Sequence, residues 1–227
     1  MNGTVGALGS NLFRPWILAH FVAFTIGGAL AGGILRALGQ PYYGRMVSAL
    51  DAGLIQAGSS AAAWAIFGAI VGTAQWLVVR RSLRAGWWAP ATALAWGMSG
   101  IVTGFVAGGS VSTIGPAEGP IPPLLATLTV PPLVVLLVGL VPWLILRREF
   151  VGAGWWFIVN LAGLLGFAVG LVVAKGVPWL EPTDFPSAYA LGLMAAVAGP
   201  IYGAITWQFL SELRRTSATS ATKEPAR

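Results

Sequence analysis

The chain has 227 residues, 56% of them hydrophobic and only 9% charged, where a soluble domain carries roughly 25% charged residues. Thirteen Lys and Arg with seven Asp and Glu cannot screen that much apolar surface from water, so the solvent around most of the chain is lipid. The absence of cysteine excludes disulfide scaffolds, thiolate zinc sites and thiol redox chemistry.

A bilayer-crossing helix needs about 20 largely apolar residues. Six stretches qualify: Pro15–Leu38, Leu54–Val79, Trp87–Ala107, Leu124–Leu146, Trp155–Ala174 and Ala188–Leu210. The expected class is therefore an all-α, six-span integral membrane protein. The fourth stretch contains Pro131–Pro132. A proline pair fits best in a first helical turn, where the N–H groups lack partners anyway. That places the start of span four at the pair, with residues 122–129 as an entry segment. Ser48-Ala-Leu-Asp51 reads as a helix start before span two.

The basic residues set the orientation. Arg14, Arg80, Arg81, Arg84, Arg147, Arg148, Arg214, Arg215, Lys223 and Arg227 fall on one side, and only Arg36, Arg45 and Lys175 on the other. This positive-inside bias predicts cytoplasmic N- and C-termini in a bacterial cytoplasmic membrane. The formal charge of +6 thus sits at the edges of apolar runs. It speaks for anionic inner-leaflet lipid as a partner rather than nucleic acid. Residues Met1–Phe13 lack a basic n-region and cleavage motif, so no removed signal peptide is expected. Asn2 stands where N-myristoylation requires glycine. Residues 214–227 read as a short polar tail without fixed structure.

The chain repeats itself. Gly72–Trp88 reads GTAQWLVVRRSLRAGWW and Gly139–Trp156 reads GLVPWLILRREFVGAGWW, nine of seventeen pairs being identical once one insertion is allowed. A fainter third copy, Gly199–Trp207 (GPIYGAITW), matches Gly68–Trp76 (GAIVGTAQW) at both glycines, the isoleucine and the tryptophan. The unit is a two-helix hairpin used three times, over residues 12–80, 84–148 and 152–213. Two spans per unit preserve orientation, so three parallel hairpins can close around a pseudo-threefold axis. At the repeated GTAQWLVVRR…AGWW block the chain resembles uncharacterised bacterial multi-pass membrane proteins with a Gly-x-x-Gln-Trp-Leu-x-x-Arg-Arg motif. The resemblance implies a multi-pass architecture and carries no activity or ligand. The second copy departs from the motif, with Pro142 in place of Gln75.

Three sets of residues are singled out by the repeat. Trp16, Trp76, Trp87, Trp88, Trp143, Trp155, Trp156 and Trp207, with Arg80, Arg81, Arg147 and Arg148, read as anchors at the headgroup level. Glycine pairs at four-residue spacing let backbones approach closely in lipid. They are Gly28/Gly32, Gly68/Gly72, Gly100/Gly104, Gly166/Gly170 and Gly199/Gly203, with Val135 and Gly139 in span four. Such contacts serve packing within one chain or between copies. His20, Thr92 and Asn160 each lie four residues after the opening tryptophan of an odd span, and Gln75 precedes Trp76. A polar group in lipid must find a partner or face water, so these four are the candidate binding site. The outer loops, rich in Gly and Pro with Tyr42, Tyr43, Asp51, Glu118, Trp179, Glu181 and Asp184, are the alternative ligand mouth.

No catalytic constellation emerges. His20 is the single histidine, and no second histidine, cysteine or carboxylate shares the membrane with it, so neither a metal nor a cofactor is expected. There is no Gly-x-x-x-x-Gly-Lys phosphate loop and no dinucleotide fingerprint. The leading expectation is a non-catalytic membrane scaffold, assembly subunit or sensor component, with a membrane-protein partner or a second copy of itself. The alternative is a small-solute or ion carrier or channel. A water-accessible interior favours the carrier, and a solid glycine-lined interior favours the scaffold.

Overall fold

The computed structural model describes residues 12–39, 49–80, 86–110, 123–147, 153–176 and 188–221. These residues are all-helical. Six helices follow one another: α1 (Phe13–Gly39), α2 (Ala49–Val79), α3 (Trp88–Ser110), α4 (Pro123–Leu146), α5 (Trp155–Lys175) and α6 (Ala188–Ala221). Among the described residues, Phe13–Leu38, Leu50–Val79, Trp88–Val106 and Ala188–Ser211 are long and apolar enough to cross a membrane, and Trp155–Gly170 is a shorter apolar stretch. The chain is a membrane protein. Each helix packs against the next and α6 packs back onto α1, which closes the ring.

Two boundaries differ from expectation. Helix α4 begins at Pro123 and runs through Pro131–Pro132. A helix starting at the pair would span only about 24 Å at 1.5 Å per residue, short of a hydrocarbon core of ~30 Å. A non-helical entry segment at that depth would leave backbone groups unpaired in lipid. Pro123 takes the first-turn position instead, where a missing N–H costs nothing. Helix α6 continues to Ala221, so most of the expected unstructured tail is helical; no glycine or proline interrupts residues 204–221. The outer-loop residues Tyr42, Tyr43, Glu118, Trp179, Glu181 and Asp184 lie outside the described residues. Residues 222–227 lie outside them as well.

The glycines explain how the helices meet. A Cβ added at Gly68 would stand 2.7 Å from the Thr92 carbonyl oxygen and 2.7 Å from the Trp96 Cβ, and one at Gly199 would stand 2.7 Å from the His20 carbonyl oxygen and 2.9 Å from the Phe24 Cβ. Gly72 faces Thr92 in the first case and Gly203 faces His20 in the second. The α2–α3 and α6–α1 seams therefore use the same construction at positions the repeat makes equivalent. The odd helices answer with their own glycines. Gly100 and Gly104 face Ser60 and Gln56 of α2, and Gly28 faces Leu191 and Ala195 of α6. Gly32 is buried.

Gly166 and Gly170 break the pattern. They face Ala198, Ile201 and Met194 of α6, not α4. Gly28 and Gly100 stand twelve residues after Trp16 and Trp88, whereas Gly166 stands ten after Trp156. Two residues turn a helix surface by about 200°, which points the pair at the other neighbour.

Alanine substitution separates seam glycines from idle ones. Gly68→Ala and Gly199→Ala should each destabilise the purified protein by about 1–3 kcal/mol, because a Cβ there meets fixed backbone. Gly33 and Gly58 have no atom within 4 Å of an added Cβ, so alanine there should be neutral or stabilising by up to about 1 kcal/mol. Denaturant unfolding in detergent reads both.

Candidate functional site

The repeated tryptophans divide by one residue. Trp87 and Trp155 are 76% and 64% exposed, whereas Trp16, Trp88 and Trp156 are 0%, 1% and 1% exposed. Adjacent helical positions lie about 100° apart, so one indole of each Trp-Trp pair faces outward and the other fills the bundle. Trp16, Trp88, Trp156 and the buried Trp207 are thus core residues, a correction to their reading as headgroup anchors. They join one cluster with Val79, Leu146 and Leu210, the equivalent aliphatic residues of α2, α4 and α6. Trp76 and Trp143 are half-buried. Arg80 lies over the Trp76 ring at 5.7 Å and Arg147 over Trp143 at 4.8 Å, each such contact contributing about 0.5–1 kcal/mol. Arg81 and Arg148 lie outside the described residues.

All four candidate site residues are buried: His20, Gln75, Thr92 and Asn160. Three of them do one job with different chemistry. His20 Nδ1 lies 2.8 Å from the Trp16 carbonyl oxygen, Thr92 Oγ1 donates to the Trp88 carbonyl at 2.8 Å, and Asn160 Nδ2 donates to the Trp156 carbonyl at 2.7 Å. The four-residue spacing from each opening tryptophan produces this bond, since i and i+4 lie one above the other.

His20 and Gln75 then join into a chain of fixed polarity. The Trp16 carbonyl can only accept, so His20 Nδ1 carries the proton. His20 Nε2 is left with a lone pair, and the Gln75 amide Nε2, 2.9 Å away, donates to it. The Gln75 Oε1 accepts from Trp88 Nε1–H at 2.9 Å. Trp16 Nε1–H donates to the Gly203 carbonyl at 3.0 Å and to Thr206 Oγ1 at 3.1 Å, and Thr206 Oγ1 donates to the Tyr202 carbonyl at 2.9 Å. The sequence runs without reversal from Trp88 through Gln75, His20 and Trp16 to α6. The basic nitrogen of the single histidine is already occupied.

Asn160 does not join His20 directly. Its Oδ1 accepts from the Tyr202 hydroxyl at 2.7 Å, and the Tyr202 ring packs on His20 with centroids 5.6 Å apart. Thr92 serves only its own helix. Tyr202 is the residue that motif reading missed. Its signal was a phenol at the place where Val71 and Val138 stand in the other copies; a buried tyrosine O–H demands a partner.

One seam lacks its bond. Trp88 reaches Gln75 and Trp16 reaches Thr206, the equivalent positions on the preceding even helix around the ring. The third equivalent is Pro142, buried and without a side-chain acceptor. Trp156 Nε1 is buried with no hydrogen-bond partner. At this α4–α5 seam Gly139 faces the Phe157 ring instead of the Asn160 side chain, and Val135 replaces the second glycine.

A half-open cavity beside Asn160 and Tyr202, lined also by Trp96, Val138, Gly163 and Phe167, measures ≈ 10 Å³, the lower limit for one water molecule. Among the described residues no three His, Cys, Asp or Glu side chains lie together to hold a metal. No family model, curated protein or solved structure matches the chain.

Four substitutions test the site. Gln75→Leu strands both Trp88 Nε1–H and the His20 lone pair and should cost about 2 kcal/mol, against about 0.6 kcal/mol for Thr92→Val, which removes one local bond. Pro142→Gln should be about 1 kcal/mol more stable than Pro142→Ala, because only the amide offers Trp156 an acceptor. Unfolding midpoints of the four variants decide the matter, and equal stability of Pro142→Gln and Pro142→Ala would remove the missing-acceptor argument.

Proposed function

We propose that the chain is a non-catalytic, multi-pass protein of the bacterial cytoplasmic membrane that serves as a packed scaffold or assembly subunit. It crosses six times as three hairpins in a pseudo-threefold ring. Both termini and the arginine-bearing turns face the cytoplasm, against anionic lipid, and its partners are another membrane protein or a second copy. Three things support the ring: the closed order of helix packing, the matched α2–α3 and α6–α1 seams, and the single cluster that gathers Trp16, Trp88 and Trp156 with Val79, Leu146 and Leu210. The orientation rests on the distribution of Lys and Arg, and the bacterial setting on the resemblance of the Gly72–Trp88 block.

The observation that carries the scaffold reading is the saturation of the polar groups. A solute site needs donors or acceptors turned towards an open space. His20, Gln75, Thr92 and Asn160 instead spend their bonds on Trp16, Trp88, Tyr202 and backbone carbonyls. The space beside Asn160 holds at most about one water.

Reconstitution in liposomes tests this. Vesicles containing the protein should leak protons and potassium no faster than empty vesicles, and His20→Ala with Asn160→Ala should lower the unfolding temperature while leaving that leak unchanged. A saturable flux above the empty-vesicle rate, abolished by the same double substitution, would establish the carrier instead.

A further inference from the structure

An opening lies on the outside of the ring. Between α1 and α2 lies a groove of about 430 Å³, lined by Ala19, Ala23 and Ile26 on one helix and Ala69, Thr73 and Leu77 on the other. The two helices come close at Gly27, where an added Cβ would stand 2.9 Å from the Phe67 ring and 3.6 Å from the Phe67 Cα, and Phe67 packs edge-on against Phe24 with centroids 5.1 Å apart. From that contact towards Arg80, the alanines that line the groove do not fill the space between the helices.

Something apolar has to occupy such a groove in a bilayer, since its lining otherwise forfeits dispersion contacts. The groove is short. From Ala19 to Ile26 it extends about 10 Å along the helix, within the ~15 Å depth of one leaflet's hydrocarbon. A docked helix would use the full height of the bundle, whereas a lipid chain entering from one leaflet would stop there. The charge at its mouth is one-sided. Ala69, Thr73, Leu77 and Arg80 follow one another at intervals of four, four and three residues, so they share one stripe of α2. Arg80 is exposed and steadied on the Trp76 ring. Helix α1 opens at the same end with the exposed Arg14. Neither residues 14–26 nor residues 69–80 contain an acid.

We infer that this groove seats one acyl chain of an anionic phospholipid whose phosphate is bound by Arg80, with Arg14 adding charge at the same level. This deepens the reading of the chain as a scaffold against anionic lipid and rests on its membrane-spanning arrangement. A basic residue near such a headgroup contributes ~1 kcal/mol, which corresponds to about a fivefold preference over a zwitterionic lipid.

Native mass spectrometry of the full chain in detergent, titrated with phosphatidylglycerol or phosphatidylcholine, provides the test. The unaltered protein should retain a single phosphatidylglycerol with about fivefold preference. Arg80→Gln should abolish the preference, and Arg147→Gln, at the equivalent cation on α4, should leave it intact. Thr73→Phe, which fills the groove from an exposed position, should reduce retention of both lipids without lowering the unfolding temperature; Ala19→Phe fills it from the other wall should that variant fail to fold. Equal retention of the two lipids, an equal effect of Arg80→Gln and Arg147→Gln, or a lipid-free dimer that Thr73→Phe dissociates would each overturn the inference. Solute flux in liposomes would sink the scaffold reading and leave this lipid preference untouched, so the two failures are distinguishable.

Discussion

Lipid gives helices no hydrophobic reason to associate, because a hydrocarbon tail is as apolar as leucine. What holds this bundle is how near two backbones can come. At the α2–α3 and α6–α1 seams, glycine surfaces lie against carbonyl oxygens and the first side-chain atoms of the opposite helix. The hydrogen bonds depend on that approach. Trp16 Nε1 reaches the backbone carbonyl of Gly203 at 3.0 Å, on a residue whose missing side chain lets His20 pack against it. Thr92 likewise lies against Gly72, one turn from Gln75. Glycine and polar residue are two halves of one device. The glycine admits the neighbour, and the polar group pairs once the neighbour is there.

The consequence for chemistry is restrictive. Every polar side chain kept in the membrane is a liability unless partnered. Among the described residues the partners are indoles, backbone carbonyls, the Gln75 amide and the Tyr202 hydroxyl, each already held in a bond within the bundle. A histidine that donates from Nδ1 to a carbonyl and accepts at Nε2 from an amide is locked into one tautomer by groups that cannot reverse their roles. Saturated networks of this kind rigidify a core and specify one packing. They do so by using up the lone pairs that binding or proton transfer would need.

Much of this was legible in the amino-acid order, and what was not has physical causes. Helix positions followed from apolar length. The recurrence of the GTAQWLVVRR block as GLVPWLILRR is plain in the sequence. The i, i+4 relation of His20 to Trp16 already placed both on one face. The tryptophans were harder, because an indole suits a headgroup layer and a packed core equally well. Only the neighbours of Trp88 and Trp156 distinguish them from Trp87 and Trp155. Proline at 131–132 suits a first helical turn locally, but the demand for backbone pairing through the depth of the bilayer overrides that preference and carries α4 through the pair. Tyr202 escaped notice because its ring reads as one more apolar residue. The two-residue displacement of Gly166 and Gly170 was visible from the start; its meaning needed the direction of the helix faces.

The departures from repetition are not scattered. Pro142 in place of an acceptor, Val135 in place of a glycine, glycines rotated towards α6 and an orphaned Trp156 Nε1 all concern α4, α5 or the seam between them. A buried donor without a partner costs about 1–3 kcal/mol, and among the described residues α4 and α5 share the thinnest packing of any neighbours in the ring. The stability of the bundle is therefore held unevenly. The stretch α6–α1–α2–α3 is continuous through two glycine seams and one hydrogen-bonded chain from Trp88 to Thr206. Helix α5 meets α6 through Gly166 and Gly170 against backbone, and the ring is completed between α4 and α5 by aromatic contact, Gly139 and Trp143 against Phe157. Ring surfaces interlock less closely than backbone does against backbone, and they tolerate sliding. Local opening draws on the least stabilised contacts first. Two matched seams thus fix the fold, and the α4–α5 seam closes the ring with less to hold it.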